Sequence, residues 1–266
     1  MSKTPRGLRL RSFPAVAPVT AVAFLFLYLP MAAVVVYSFN AGKTVLIWEG
    51  FSLRWFAAVF QDNRLIAAAV NSLVVACAAM LVATVLAITF ALAIDRWARR
   101  NRTWANWLIM APLVVPEIVT AVALLSLISL IGLPPGLPAI VLAHITFCIP
   151  FALMPIRARL QTINPAVFEA AADLGADQAT MMRRITVPLL VPGIVSGALL
   201  AFVISLDDVI ISNFLSAPGS TTLPVYVFGM MRLGISPIIT AIGTMLIALS
   251  TIVIVFSYIA SKRGKK

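Results

Sequence analysis

Six apolar stretches divide this chain, each long enough to cross a bilayer as a helix: residues 13–38, 66–94, 107–131, 138–157, 190–211 and 237–260. About 18 or more consecutive apolar residues are the mark of a spanning helix. An unpaired backbone group in hydrocarbon costs several kcal/mol, so such stretches must close their hydrogen bonds within themselves. A transmembrane β-barrel would need alternating segments of about ten residues, and the sequence has none. Composition agrees: 62% of the 266 residues are hydrophobic and 11% charged, where a soluble domain carries about a quarter charged residues. The expectation is an all-α polytopic membrane protein forming one domain over 1–266, in contact with lipid.

The basic residues fix a predicted orientation. Lys3, Arg6, Arg9 and Arg11 precede the first span. Arg96, Arg99, Arg100 and Arg102 follow the second, Arg157, Arg159, Arg183 and Arg184 the fourth, and Lys262, Arg263, Lys265 and Lys266 the sixth. Only Lys43, Arg54, Arg64 and Arg232 fall on the opposite side. The side with sixteen of the twenty should be cytoplasmic, which puts both ends of the chain there. This asymmetry accounts for the net charge of +11 without nucleic acid as a partner. The first apolar run exceeds the 7–15 residues of a signal-peptide core, so it is read as an uncleaved span. Cys77 and Cys148 lie inside apolar runs and form neither a metal spacing nor a disulfide framework.

Two outer segments are more than connectors. Residues 40–64 include Trp48, Phe51, Trp55 and Phe56, side chains suited to a helix at the membrane interface. Residues 216–237 are mostly apolar after Pro218-Gly219, as expected of a short helix on the outer face.

The cytoplasmic loop at about 158–189 carries a strong local pattern. Asn164 is a good N-cap and Pro165 a good first helical residue. Gly175 accepts the left-handed backbone that ends a helix. Asp177 then caps a second short helix, expected to run to about Thr186 before Pro188. Val167, Ala171 and Leu174 share helical spacing. The result is a self-capped knob projecting from the membrane.

The same loop holds Glu169-Ala170-Ala171, Gly175 after three residues, Ile185 after nine more, and Pro188. This resembles the EAA motif of permease subunits of ABC importers that depend on a substrate-binding protein. Val187 stands where that family usually has leucine. Pro112-Leu113-Val114-Val115-Pro116-Glu117, Ser205-Leu206-Asp207-Asp208 and Thr221-Thr222-Leu223-Pro224 look like the second permease of spermidine/putrescine importers. The resemblance implies the type I importer permease fold, with Glu169, Ala170, Ala171, Gly175, Ile185 and Pro188 seating the loop in an ATPase subunit. It also implies a second, related permease as heterodimer partner, two copies of an ABC ATPase and a periplasmic substrate-binding protein. Permeases for other small solutes share parts of this plan.

Three acids fall within spans: Glu117, Asp207 and Asp208. An acid at bilayer depth normally faces the bundle interior and is functional by default. Pro112 and Pro116 precede Glu117, and a proline-interrupted helix at mid-depth is a feature of transport sites. Gly193, Gly197, Ala201, Ser205, Asp208 and Ser212 form one stripe of a continuous helix, which turns Asp208 toward protein or pathway. Asp207 lies toward Val203 and Ile211, where it could anchor a neighbouring helix. At 1.5 Å per helical residue, Glu117 and Asp208 would stand roughly 10 Å apart along the membrane normal, matching successive ammonium groups of a polyamine. The structural alternative is that the acids cap broken helices or pair with a partner chain. His144, the single histidine, reads as a hydrogen-bonded structural residue.

No GxxxxGK[ST] phosphate loop occurs, so ATP is expected on partner subunits, the chain itself holding no cofactor, no metal and no catalytic residue. An ion-coupled secondary transporter is the competing class, supported by the membrane acids and opposed by the EAA loop. A membrane scaffold would not need three buried acids.

Overall fold

The computed structural model describes residues 16–44, 47–97, 102–234 and 236–263. The basic groups at Lys3–Arg11, Arg99, Arg100, Lys265 and Lys266, and residues 13–15 of the first expected span, lie outside the described residues. Secondary structure among the described residues is helical apart from one isolated bridge, Asn40 to Phe51. Among the described residues, four helical stretches are long and apolar enough to cross a membrane.

One compact unit comprises residues 63–229. Its core is α3 (Asn63–Trp97), α6 (Leu137–Thr162) and α9 (Val187–Asp207). On α3, Val75, Ala79, Ala83, Ala87 and Ala91 recur every fourth residue and are all buried. Such a row of small side chains lets helices approach closely without a hydrophobic driving force from water. On α9, Gly193 and Gly197 serve the same end. A methyl at Gly193 would come within 2.6 Å of the Arg159 Cβ, and one at Gly197 would collide with the Ala152 carbonyl oxygen. Gly193, Gly197, Ala201 and Ser205 are indeed the buried stripe of α9.

Two of the expected spans are broken. Residues 107–131 become α4 (Arg102–Val114) and α5 (Glu117–Leu130). Pro116 has no N–H, its ring would strike the Pro112 carbonyl, and it disfavours helix at Val115. The Pro116 carbonyl restarts the chain as α5 by accepting from Val119 and Thr120. The expected continuous helix 190–211 is also wrong: α9 stops at Asp207, Asp208 is extended (φ −65°, ψ 128°), and α10 (Ile210–Leu215) follows. Here no proline intervenes. The Asp208 side chain satisfies α10's first N–H groups instead of letting α9 continue.

The other unit comprises residues 1–62 and 230–266. In it α1 (Val16–Ser38) packs on α12 (Pro237–Arg263), which also touches α2 (Arg54–Gln61). Between α1 and α2 the chain is tied by Asn40, whose side chain is fully buried. Its Nδ2 donates to the carbonyls of Thr44 (3.1 Å) and Ile47 (2.7 Å). Its Oδ1 accepts from the N–H groups of Gly42 (3.0 Å) and Glu49 (2.9 Å). Trp55 Nε1 donates to the Asn40 carbonyl, and Phe39 stacks between Phe51 and Phe56. The aromatic segment is therefore a folded loop leading into a short helix.

Candidate functional site

The membrane acids meet at the two helix breaks. Glu117 is the first residue of α5, and α5 packs on α10. Asp208 lies in the gap between α9 and α10. Its Oδ1 accepts from the Ile211 N–H (3.2 Å) and its Oδ2 from the Ser212 N–H (2.8 Å). His144 Nε2 lies 3.2 Å from Asp208 Oδ2 and 3.0 Å from Ser212 Oγ, and Nδ1 lies 2.7 Å from Ser205 Oγ. Both the histidine and Asp208 side chains are about 1% exposed. The Glu117 carboxyl lies against that of Asp208 from a half-buried position.

This geometry corrects three expectations. Glu117 and Asp208 are in contact rather than roughly 10 Å apart, because each follows a break that turns its chain inward. They form one anionic locus, not two successive ones. Asp207 is exposed and, among the described residues, anchors no neighbouring helix. Ile211, expected beside it, is fully buried on α10, since the break at Asp208 interrupts the helical phase. His144 is hydrogen-bonded and buried as expected, but its partner is the functional candidate itself. Two carboxyls in contact need a shared proton or a cation between them.

The segment before α11 is held by two residues for which the sequence carries only a weak signal. Asn71 Nδ2 donates to the carbonyls of Gly219 and Thr221 (both 3.0 Å). Ser72 Oγ accepts from the Leu223 N–H (2.8 Å), so α3 caps the start of α11 (Leu223–Leu233). An adjacent Asn-Ser pair inside an apolar span was the available signal.

The loop after α6 builds its knob by local capping. Asn164 Oδ1 accepts from the Ala166 N–H (3.0 Å) at the start of α7 (Ala166–Asp173). At its end Gly175 takes φ +80°. Ala176 N–H donates to Ala171 and Gly175 N–H to Ala172, the paired bonds of a Schellman ending. Asp177 Oδ1 accepts from the Thr180 N–H (2.8 Å) and opens α8 (Gln178–Thr180). The Thr180 side chain and then this N–H bond hold the fully exposed Asp177 carboxyl below the usual carboxylate range.

The second short helix does not stop at Thr186. Helix continues from Gln178 to Asp207 through a π turn at Met181–Thr186. The wider turn lets Pro188 enter α9 without an i−4 clash; Val187 N–H reaches back to Met182. Glu169 and Ala170 are exposed on α7, while Ala171 is buried where α7 meets the π turn. Ile185 is half-buried and Pro188 exposed. Leu174, the C-cap, is 88% exposed and does not join Ala171 in packing.

Residues 83–266 match the family described as the binding-protein-dependent transport system inner membrane component. The chain belongs to this family. It is 36% identical to the spermidine/putrescine transport system permease protein PotC of Haemophilus influenzae over 243 residues, 91% of this chain and 95% of the relative. It is 38% identical to the putrescine transport system permease protein PotI of Escherichia coli K12 over 252 residues, 92% of this chain and 90% of the relative. Its fold is similar to that of a bacterial ABC transporter involved in import of the acidic polysaccharide alginate (TM-score 0.75, 22% identity, 95% of each chain covered). The chain is thus a multi-pass inner-membrane transport component of the ABC permease fold, and its relatives are permease subunits.

Proposed function

We propose that this chain is the permease subunit of an ATP-driven polyamine importer, a single transmembrane domain forming half of the passage beside a second, related permease. Both ends lie in the cytoplasm, two ATPase copies hydrolyse ATP below, and a periplasmic binding protein delivers putrescine or spermidine from outside. The basic-residue asymmetry supports the orientation, and the names of the relatives support the substrate. The observation that carries the reading is the contact between Glu117 and Asp208 at two helix breaks. A polyamine is a flexible alkyl chain with ammonium groups, and an ammonium group between the two carboxyls supplies the cation their contact requires. Asp207 adds a third negative charge nearby.

The α7 knob is the coupling element. Glu169 and Ala170 face outward for an ATPase cleft, Ala171 seats α7, Gly175 sets its ending, and Ile185 and Pro188 join it to α9. Motion of the ATPases then reaches the α9 break through the helix that begins at Gln178.

Uptake of labelled putrescine into proteoliposomes holding the whole importer tests both parts. Glu117→Gln and Asp208→Asn keep volume and remove charge; each should raise KM about ten-fold or more, the effect of one charge-assisted contact, at near-normal complex yield. Wild-type KM in both would sink the cation site. Gly175→Val should lower ATPase association while membrane insertion is kept, because valine strongly disfavours positive φ. Vanadate-insensitive uptake without an ATPase would instead favour the ion-coupled class.

A further inference from the structure

We infer that His144 is a positioning residue for the cation site: it holds Asp208 in place and so tunes substrate affinity without touching substrate. This rests on the reading of Asp208 as part of that site. A carboxylate can only accept hydrogen bonds. His144 Nε2 faces Ser212 Oγ at 3.0 Å and Asp208 Oδ2 at 3.2 Å, and the carboxylate oxygen, which cannot donate, requires hydrogen on that nitrogen. In the neutral ring Nδ1 is then an acceptor, and the Ser205 hydroxyl at 2.7 Å, able to donate or accept, turns its hydrogen to it. Asp208 thus sets the tautomer and Ser205 holds the other side of the ring.

The bonds join elements that no continuous helix links. His144 sits on α6, Ser205 on α9, and Asp208 in the gap before α10. At this break the main chain has given up helical bonding, so side chains must set where the carboxylate points. Asp208 meets three donors here: the Ile211 and Ser212 N–H groups and His144 Nε2. The two N–H groups travel with α10. His144 is the one of the three that ties the carboxylate to a different long helix, and all of its ring is buried. The arrangement leaves Glu117, half-buried, as the carboxyl free to close on an ammonium group, with Asp208 as the fixed charge behind it.

The two amide variants of His144 separate this role from mere filling of space. A glutamine amide nitrogen reaches about as far as Nε2 and can still donate to Asp208. An asparagine amide reaches only the Nδ1 position, toward Ser205. In putrescine uptake by the reconstituted importer, His144→Gln should keep KM within about threefold of wild type. His144→Asn should raise KM roughly ten-fold, as for loss of one hydrogen bond to a charged group, with Vmax changing much less. Combining His144→Asn with Asp208→Asn should add nothing to Asp208→Asn alone, since groups acting through one another are not additive. Equal KM in the two amide variants, or full additivity in the double variant, would overturn the assignment.

If Asp208→Asn itself leaves KM at the wild-type value, the cation-site reading fails. If it raises KM while His144→Asn does not, only the role of His144 fails. Should both histidine variants assemble poorly, Ser205→Ala provides the decision: it removes the hydroxyl that holds the Nδ1 side of the ring, with little loss of volume. It should raise KM by a smaller factor at normal yield, and an unchanged KM would again overturn the inference.

Discussion

Two buried polar side chains organise this protein in opposite ways. Asn40 spends its two donors and both lone-pair directions of its oxygen on four backbone groups within nine residues of itself. Asp208 draws on α10, α6 and α5, and its contact with Glu117 brings together two groups of like charge. A side chain satisfied by local backbone makes a rigid loop and has no capacity left for a ligand. A carboxylate held at a helix break beside a second carboxyl is a site that a cation completes. The difference lies less in burial, which both share, than in what remains unmet.

The most damaging change should therefore fall on the saturated network. Asn40→Asp replaces an amide that donates to Thr44 and Ile47 with a carboxylate facing those same carbonyls. Losing two buried donor contacts and adding repulsion should cost about 3 kcal/mol or more locally. Protease cleavage within 40–53 of the purified importer should accelerate strongly, while Asn40→Ser, which also loses contacts but adds no charge, should be milder. Equal protection in Asn40→Asp would show that the loop does not depend on its buried side chain.

Gly197→Ala probes the frame around the other network. The added methyl would collide with the Ala152 carbonyl oxygen of α6, so α9 must shift. Overpacking of this kind costs typically about 1–3 kcal/mol and should lower the thermal unfolding midpoint in lipid nanodiscs. Because α9 carries Ser205, the same variant should also raise KM. A stability loss with wild-type KM would mean that the site tolerates displacement of its helix, contrary to a site built at a fixed break.

Much of this was legible in the sequence, for reasons that differ by region. The spans follow from apolar length, and the α7 knob follows from Asn164, Gly175 and Asp177, whose partners lie within five residues. The break at Pro116 follows from a missing N–H. The break at Asp208 stood only as the alternative that the membrane acids cap broken helices, because Leu206-Asp207-Asp208-Val209 contains neither proline nor glycine to force it; Asp208 does cap Ile210–Leu215. A continuous helix instead implies the separation of Glu117 from Asp208 and the neighbours of Asp207 that the structure corrects. Asn40, Asn71 and His144 were opaque for another reason. The partners of Asn40 are backbone groups of an irregular loop without periodicity, and those of Asn71 and His144 lie up to 150 residues away, where only tertiary packing selects them.

Between the two extremes stands the Asn71-Ser72 pair, a long-range network directed at backbone. Asn71→Ala should release the carbonyls of Gly219 and Thr221, and Ser72→Ala the Leu223 N–H. Each should cost about 1 kcal/mol, the usual net worth of such bonds. Hydrogen exchange at residues 217–226 should rise in both variants, with no change in the 40–53 loop. If exchange stays low, other contacts hold α11 and the side-chain pair is incidental.

The smallest effect concerns Asp177, whose partner is local like those of Asn40 but which is fully exposed. Its carboxylate caps α8 through the Thr180 N–H, and the Thr180 side chain together with that bond holds its ionisation below the ordinary carboxylate value. A carboxyl whose folded value is lowered contributes stability that is fully present above the unfolded value, about 3.9. The contribution fades as pH falls through the lowered folded value. The Gln178–Thr180 turn should therefore keep its exchange protection from neutral pH down to about pH 4 and lose part of it below. Solvent competes for an exposed bond, so the loss should be partial and local. Asp177→Asn keeps an oxygen able to accept from Thr180 but has no proton to gain there. It should remove the acid dependence while leaving much of the protection at neutral pH. An unchanged acid dependence in Asp177→Asn would assign the effect to another group. Loss of the neutral-pH protection would show instead that the charge, and not the hydrogen bond, starts the helix that leads into α9.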